Sequence, residues 1–152
     1  MIDEKDWEKS CAVAAAEIEM TLAELLTSLR KRAEKLPVIF ELIPNVGLQA
    51  DGIEVDTLGL FTGAEMMEEG EVVMPSRLIL FLESIQDVAG NDENAFREEI
   101  GVTFLHELVH FLGWMRRIWW HEVCNRLINK GDCGFLNVFK NFQKNSCKVL
   151  IL

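Results

Sequence analysis

Apolar side chains recur at intervals of three and four along the first 36 positions. Ala15, Ile18, Leu22, Leu25 and Leu29 fall on one side of a helix, with no Gly or Pro before Pro37. The pattern predicts one long N-terminal helix, broken near Met20 and Thr21, whose task is to cover a sheet. PVIFELIPNVGLQADG follows, with β-branched and aromatic residues bounded by Pro44, Asn45 and Gly52, and predicts one or two short strands. GLFTGAEMMEEGEVVMPS is turn-rich and acidic, a loop with a hairpin-like return. RLILFLESI, residues 77 to 85, is apolar on both faces and predicts a strand in a covered sheet. In AGNDENAF, Asn91 or Asp92 can cap a helix, and acidic residues fill the turn that follows. That helix runs from about Asp92 through FREEIGVTFLHELVHFLGW. Phe104, Leu105, Leu108, Val109, Phe111 and Leu112 make most of its girth apolar, so burial on most sides is expected, with Gly113 a natural stop.

Composition narrows the class. A chain of 152 residues, 49% hydrophobic and 26% charged, suits a single folded domain. No run approaches the eighteen or so apolar residues of a membrane span. The N-terminus MIDEKDWEKS is acidic and polar where a secretory signal is basic and then apolar, so a cytoplasmic location is expected. Cys11, Cys124, Cys133 and Cys147 lack the close spacing of a zinc ribbon or a redox pair and read as free thiols. A net charge of −10 argues against nucleic acid or an anionic membrane as partner. The charge is uneven, however. Residues 1 to 114 hold 8 Lys and Arg against 23 Asp and Glu, whereas residues 115 to 152 hold 7 against 2. The tail also carries three of the four cysteines and a Phe, Asn and Lys bias, as in GFLNVFKNFQKNS.

Within the last helix stands FLHELVH, residues 104 to 110. His106 and His110 lie one turn apart on one face, so both imidazoles can reach a single tetrahedral Zn²⁺ at about 2.0 to 2.1 Å. Glu107 sits beside that stripe, placed to act as general base on a zinc-activated water while the metal polarises a scissile carbonyl. With 3 His and 18 Glu in 152 residues, a chance His-Glu-x-x-His string is expected about 0.7% of the time. Its setting in an apolar helix, where unpartnered His, Glu and His are costly to bury, makes a metal the better explanation.

The ordered blocks DWEK, LRKRAEKLPVIFE, LQADGIEVDTLGLFTG, RLILFLESIQDVAG and FREEIGVTFLHELVHFLGW resemble the small bacterial zinc metallopeptidases with a reduced zincin fold. The likeness covers roughly residues 6 to 114. It implies an α+β minimal zincin-like fold: a long N-terminal helix, a small mixed β-sheet with an edge strand, and an active-site helix carrying HELVH. It implies peptide or protein substrates, laid as a strand along the sheet edge, which is expected near residues 77 to 85. It also implies the longer pattern His-Glu-x-x-His-x-x-Gly-x-x-(Asp or Glu), in which the last acidic residue is the third zinc ligand. Gly113 matches the glycine, but the acidic position holds Arg116, whose guanidinium stays protonated and cannot ligate zinc.

After Trp114 the chain leaves the pattern. When Met115 to Arg126 are back-translated with suitable synonymous codons and one G is restored in front, the shifted frame reads Asp, Glu, Lys or Glu, Asn or Asp, Leu (or Met or Val), Val, Ala, Arg, Gly, Leu, Gln. A stop codon is then available. An acidic residue returns to position 116, and the family's Arg-Gly-Leu ending follows. We therefore expect residues 1–114 to form the metallopeptidase domain and residues 115–152 to be an out-of-frame read-through. In the competing reading the tail is genuine and supplies the third ligand from His121 or Glu122, with Cys124 a softer donor. A further alternative is a catalytically inactive zincin-fold protein with a binding or regulatory role.

Overall fold

The computed structural model describes residues 2–63 and 76–111. Eight elements follow one another: α1 (Glu4–Glu24), α2 (Thr27–Ala33), β1 (Val38–Glu41), α3 (Val46–Ala50), β2 (Gly59–Thr62), β3 (Arg77–Phe81), α4 (Leu82–Ala89) and α5 (Glu93–Phe111). The architecture is α+β, as expected.

Asp3 starts α1 by accepting the Asp6 N–H at 2.9 Å, and Glu4 and Asp6 complement the positive end of the helix. The buried stripe is Ala14, Ile18 and Thr21, whereas Ala15, expected inside, is exposed. The break does not fall at Met20 and Thr21. The Thr21 hydroxyl donates back to the Glu17 carbonyl at 2.9 Å and the helix continues to Glu24. Leu25 and Leu26 then take extended backbone, with ψ 152° and 142°. Turning there lets Ala33 and Leu36 join the same core as Ala14 and Ile18.

The sheet has three strands in the order β1-β3-β2. β1 runs parallel to β3, pairing Val38 with Leu78, and β2 runs antiparallel, pairing Leu60 with Ile79. Leu78, Ile79, Leu80 and Phe81 of the central strand are at most 1% exposed. Successive side chains alternate faces, so Leu78 and Leu80 enter the core with Ile18, Ile100 and Phe104, while Ile79 and Phe81 pack with Ile53 and Leu60 on the other side. Covered faces explain why the strand reads as a continuous apolar run.

Two expectations about this region change. The stretch 77 to 85 is half strand and half helix, because the chain turns into α4 at Leu82, where Glu83 N–H donates to the Leu42 carbonyl at 3.0 Å. The second half of PVIFELIPNVGLQADG forms α3, capped by the Asn45 side chain on Leu48 N–H at 3.0 Å, so that stretch holds one strand. Gly90, at φ 68°, ends α4. Asp92 caps α5 by accepting from Asn94 and Ala95 N–H at 2.8 and 3.3 Å. As its composition predicts, α5 is buried around most of its girth, packed on α1, α4, β2 and β3. No helix of the described residues is long and apolar enough to cross a membrane.

Candidate active site

Helix α5, which packs against β2, carries His106, Glu107 and His110 in its last described turns. The two imidazole rings have centroids 5.2 Å apart and meet edge to face at 63°. Burial, and then the neighbouring His110, hold His106 down to about 4, below its ordinary 6.5. At neutral pH the ring is therefore uncharged, which is the form that ligates metal. Two imidazoles on consecutive turns of one helix are donors of the kind zinc takes.

Glu107 points the other way, onto the sheet. Its Oε2 accepts the main-chain N–H of Phe61 at 3.0 Å. Burial pushes its carboxyl up to about 7, although the Phe61 hydrogen bond pulls in the opposite direction. The site thus holds a glutamate whose proton affinity lies near neutrality, where a general base works best.

The helix can approach the strand this closely because residue 59 is glycine. A Cβ there would meet Thr103 Cγ2 at 2.6 Å and Glu107 Cγ at 3.1 Å. Farther along, the rings of Phe61 and Phe111 pack with centroids 5.9 Å apart, tilted by 56°. Gly59, Thr103 and the Phe61 amide were not among the residues singled out from sequence. A signal was available: Leu58 to Thr62 is an apolar run between turn residues, and a glycine inside a strand often marks close backbone approach.

The expected substrate edge moves as well. Residues 77–81 form the central strand, paired on both sides, so they offer no edge. Among the described residues the edge beside the site is β2. The Phe81 N–H donates to the Leu58 carbonyl at 2.9 Å. Bonded pairs alternate in an antiparallel ladder, so Leu60 and Thr62 also turn their main-chain groups toward β3, and Gly59 and Phe61 turn theirs outward.

A third ligand is not found within the described residues, where no group of three His, Cys, Asp or Glu side chains could hold a metal. Gly113, Arg116, His121, Glu122 and Cys124 lie outside them. Of the cysteines, Cys11 is described; it is a free thiol, pushed up by burial. A model of the zincin-like metallopeptidase family matches residues 34–119, from ahead of β1 to beyond α5. No curated protein matches the chain.

Proposed function

Because the chain belongs to the zincin-like metallopeptidase family, we propose that it is a zinc-dependent peptidase in which His106 and His110 hold the metal and Glu107 is the general base. When bound, zinc supplies a Lewis acid that polarises the scissile carbonyl and acidifies a water. Everything else is done by the chain's own groups. His106 stays neutral and offers its ring to the metal. Without a peptide, Glu107 is held at the sheet edge through Oε2 on Phe61 N–H, and its carboxylate is the group that takes the proton. Strand β2 offers outward main-chain groups to an extended peptide or protein segment.

The observation that carries this reading is the placement of Glu107 of the His-Glu-x-x-His string against the edge strand, with both histidines on the adjoining face of the same helix. Metal analysis and a peptide-hydrolysis assay test it. Glu107→Gln should keep zinc and lose hydrolysis; activity equal to the parent's would sink the assignment.

A second reading, an inactive zincin-fold binding or regulatory protein, draws on Arg116, a positive charge at the position of the family's third ligand. Purified chain holding no zinc while fully folded would favour it. The sequence beyond Trp114 bears on both readings. In our proposal residues 115–152 are a frameshifted extension, and the peptidase domain ends near residue 114.

A further inference from the structure

Strand β2 turns two residues' main-chain groups outward, those of Gly59 and Phe61. Among the described residues β2 is a sheet edge, and such an edge is a template for an extended chain. One of its donors is already taken, since the Phe61 N–H gives its hydrogen bond to Glu107 Oε2 at 3.0 Å. The contact spans 46 residues of sequence and depends on the bare Cα of Gly59, over which Glu107 Cγ lies.

We propose that Glu107 caps the sheet edge, occupying the Phe61 N–H that an added peptide strand would take, so that docking of the strand and release of the base are one event. The proposal rests on the peptidase reading for the identity of that strand as substrate. An N–H has one hydrogen and serves one good acceptor at a time. A peptide pairing with β2 in register must bring a carbonyl to Phe61 N–H, and Glu107 must then leave it. The displaced carboxylate is partly buried and cannot stay unpartnered without cost, so it turns toward the newly arrived peptide and the water beside it. In the absence of a peptide, the same contact protects the edge from pairing with other chains. The base is thereby withheld until a strand is in place.

The test uses metal-free full-length protein and an end-blocked Ala, Val and Thr hexapeptide as probe. Amide hydrogen exchange at Phe61 should speed up at least about tenfold in Glu107→Ala, the scale of one lost hydrogen bond to a charged group, while Leu60 and Thr62 keep their rates. Glu107→Gln retains a carbonyl acceptor and should hold the protection. The hexapeptide should bind Glu107→Ala at least about threefold more tightly than the parent. If the alanine variant does not fold, Glu107→Asp, one methylene shorter, retracts the carboxylate from the strand and serves the same purpose. Unchanged exchange at Phe61, or equal peptide affinity with and without the glutamate, overturns the proposal. Zinc affinity of the parent chain, measured separately by chelator competition, decides the peptidase reading whichever way the exchange result falls.

Discussion

Gly59 leaves open the space that Glu107 uses between strand and helix: a Cβ on Gly59 would stand 3.1 Å from Glu107 Cγ, and 2.6 Å from Cγ2 of Thr103 on the preceding turn. The spacing between the site helix and the edge strand is therefore set by the absence of a single methyl group.

Gly59→Ala should destabilise the protein by about 1–3 kcal/mol, the usual cost of overpacking, because the nearest atom belongs to a β-branched side chain with little rotamer freedom in a helix. Lengthening the gap should also weaken the bond between Glu107 and Phe61. Adding Thr103→Ser, which removes the obstructing Cγ2 and keeps the hydroxyl, should recover part of the loss. Urea denaturation of the single and double variants measures both steps, and additive losses would show that the clash is elsewhere.

Gly101 makes the opposite prediction. A Cβ there would lie 3.5 Å from Glu17 Oε1 and 3.6 Å from Thr21 Oγ1, ordinary contact distances. The position is inside α5, where Ala is favoured over Gly by up to about 1 kcal/mol. Gly101→Ala should accordingly raise stability, seen as a higher denaturation midpoint with an unchanged slope. A fall would mean that α1 and α5 pack more tightly than these distances allow.

These two glycines also show what could be read from sequence. Helix α5 was legible because a cap at Asp92 precedes nineteen residues whose apolar positions cover most of the girth. His106, Glu107 and His110 could be singled out as candidates because they stand within five residues of one another. The partner surface was not legible, since Gly59 inside a strand signals a close approach without saying that residues 103 and 107 make it. The turn at Leu25 was hidden for a similar reason: Leu26 begins α2 with no side-chain cap, and the bend is fixed by where Ala33 and Leu36 must pack. In RLILFLESI, burial on all sides removes the periodicity that separates strand from helix. The change at Leu82 follows instead from main-chain and side-chain bonds to Leu42 and Val55.

The site also predicts how metal-free protein responds to pH. Folding raises Glu107 from 4.5 to about 7, so between those values the native state keeps a proton that the unfolded chain has lost, and stability falls as pH rises. Folding lowers His106 from 6.5 to about 4, so there the unfolded chain holds the extra proton, and stability falls as pH drops. The two slopes oppose each other where the windows overlap and should largely cancel. Glu107→Gln removes one of them. Its stability should then rise with pH through the His106 window, while the parent stays nearly flat, as read by urea denaturation at several pH values. Equal slopes in parent and variant would disprove the assignment of opposed groups.

The last prediction follows from counting ligands. Two histidines one turn apart leave a tetrahedral zinc ion two positions short of protein donors, and catalytic zinc sites ordinarily supply three. In the proposed reading, Arg116 stands in the sequence where the resembled pattern has an acidic ligand, and it would bring a positive charge in place of a donor. The chain as it stands should therefore bind zinc weakly and cleave peptides poorly. Arg116→Glu, with the chain ended a few residues later, should tighten zinc binding by at least about tenfold and recover hydrolysis, since it replaces a repelling charge with a donor. Competition with a chromogenic chelator compares the two forms. If their affinities agree within about a factor of three, the residues after Trp114 contribute a ligand of their own. His121→Ala in the unaltered chain should then release the metal, and the frameshift reading would fall with it.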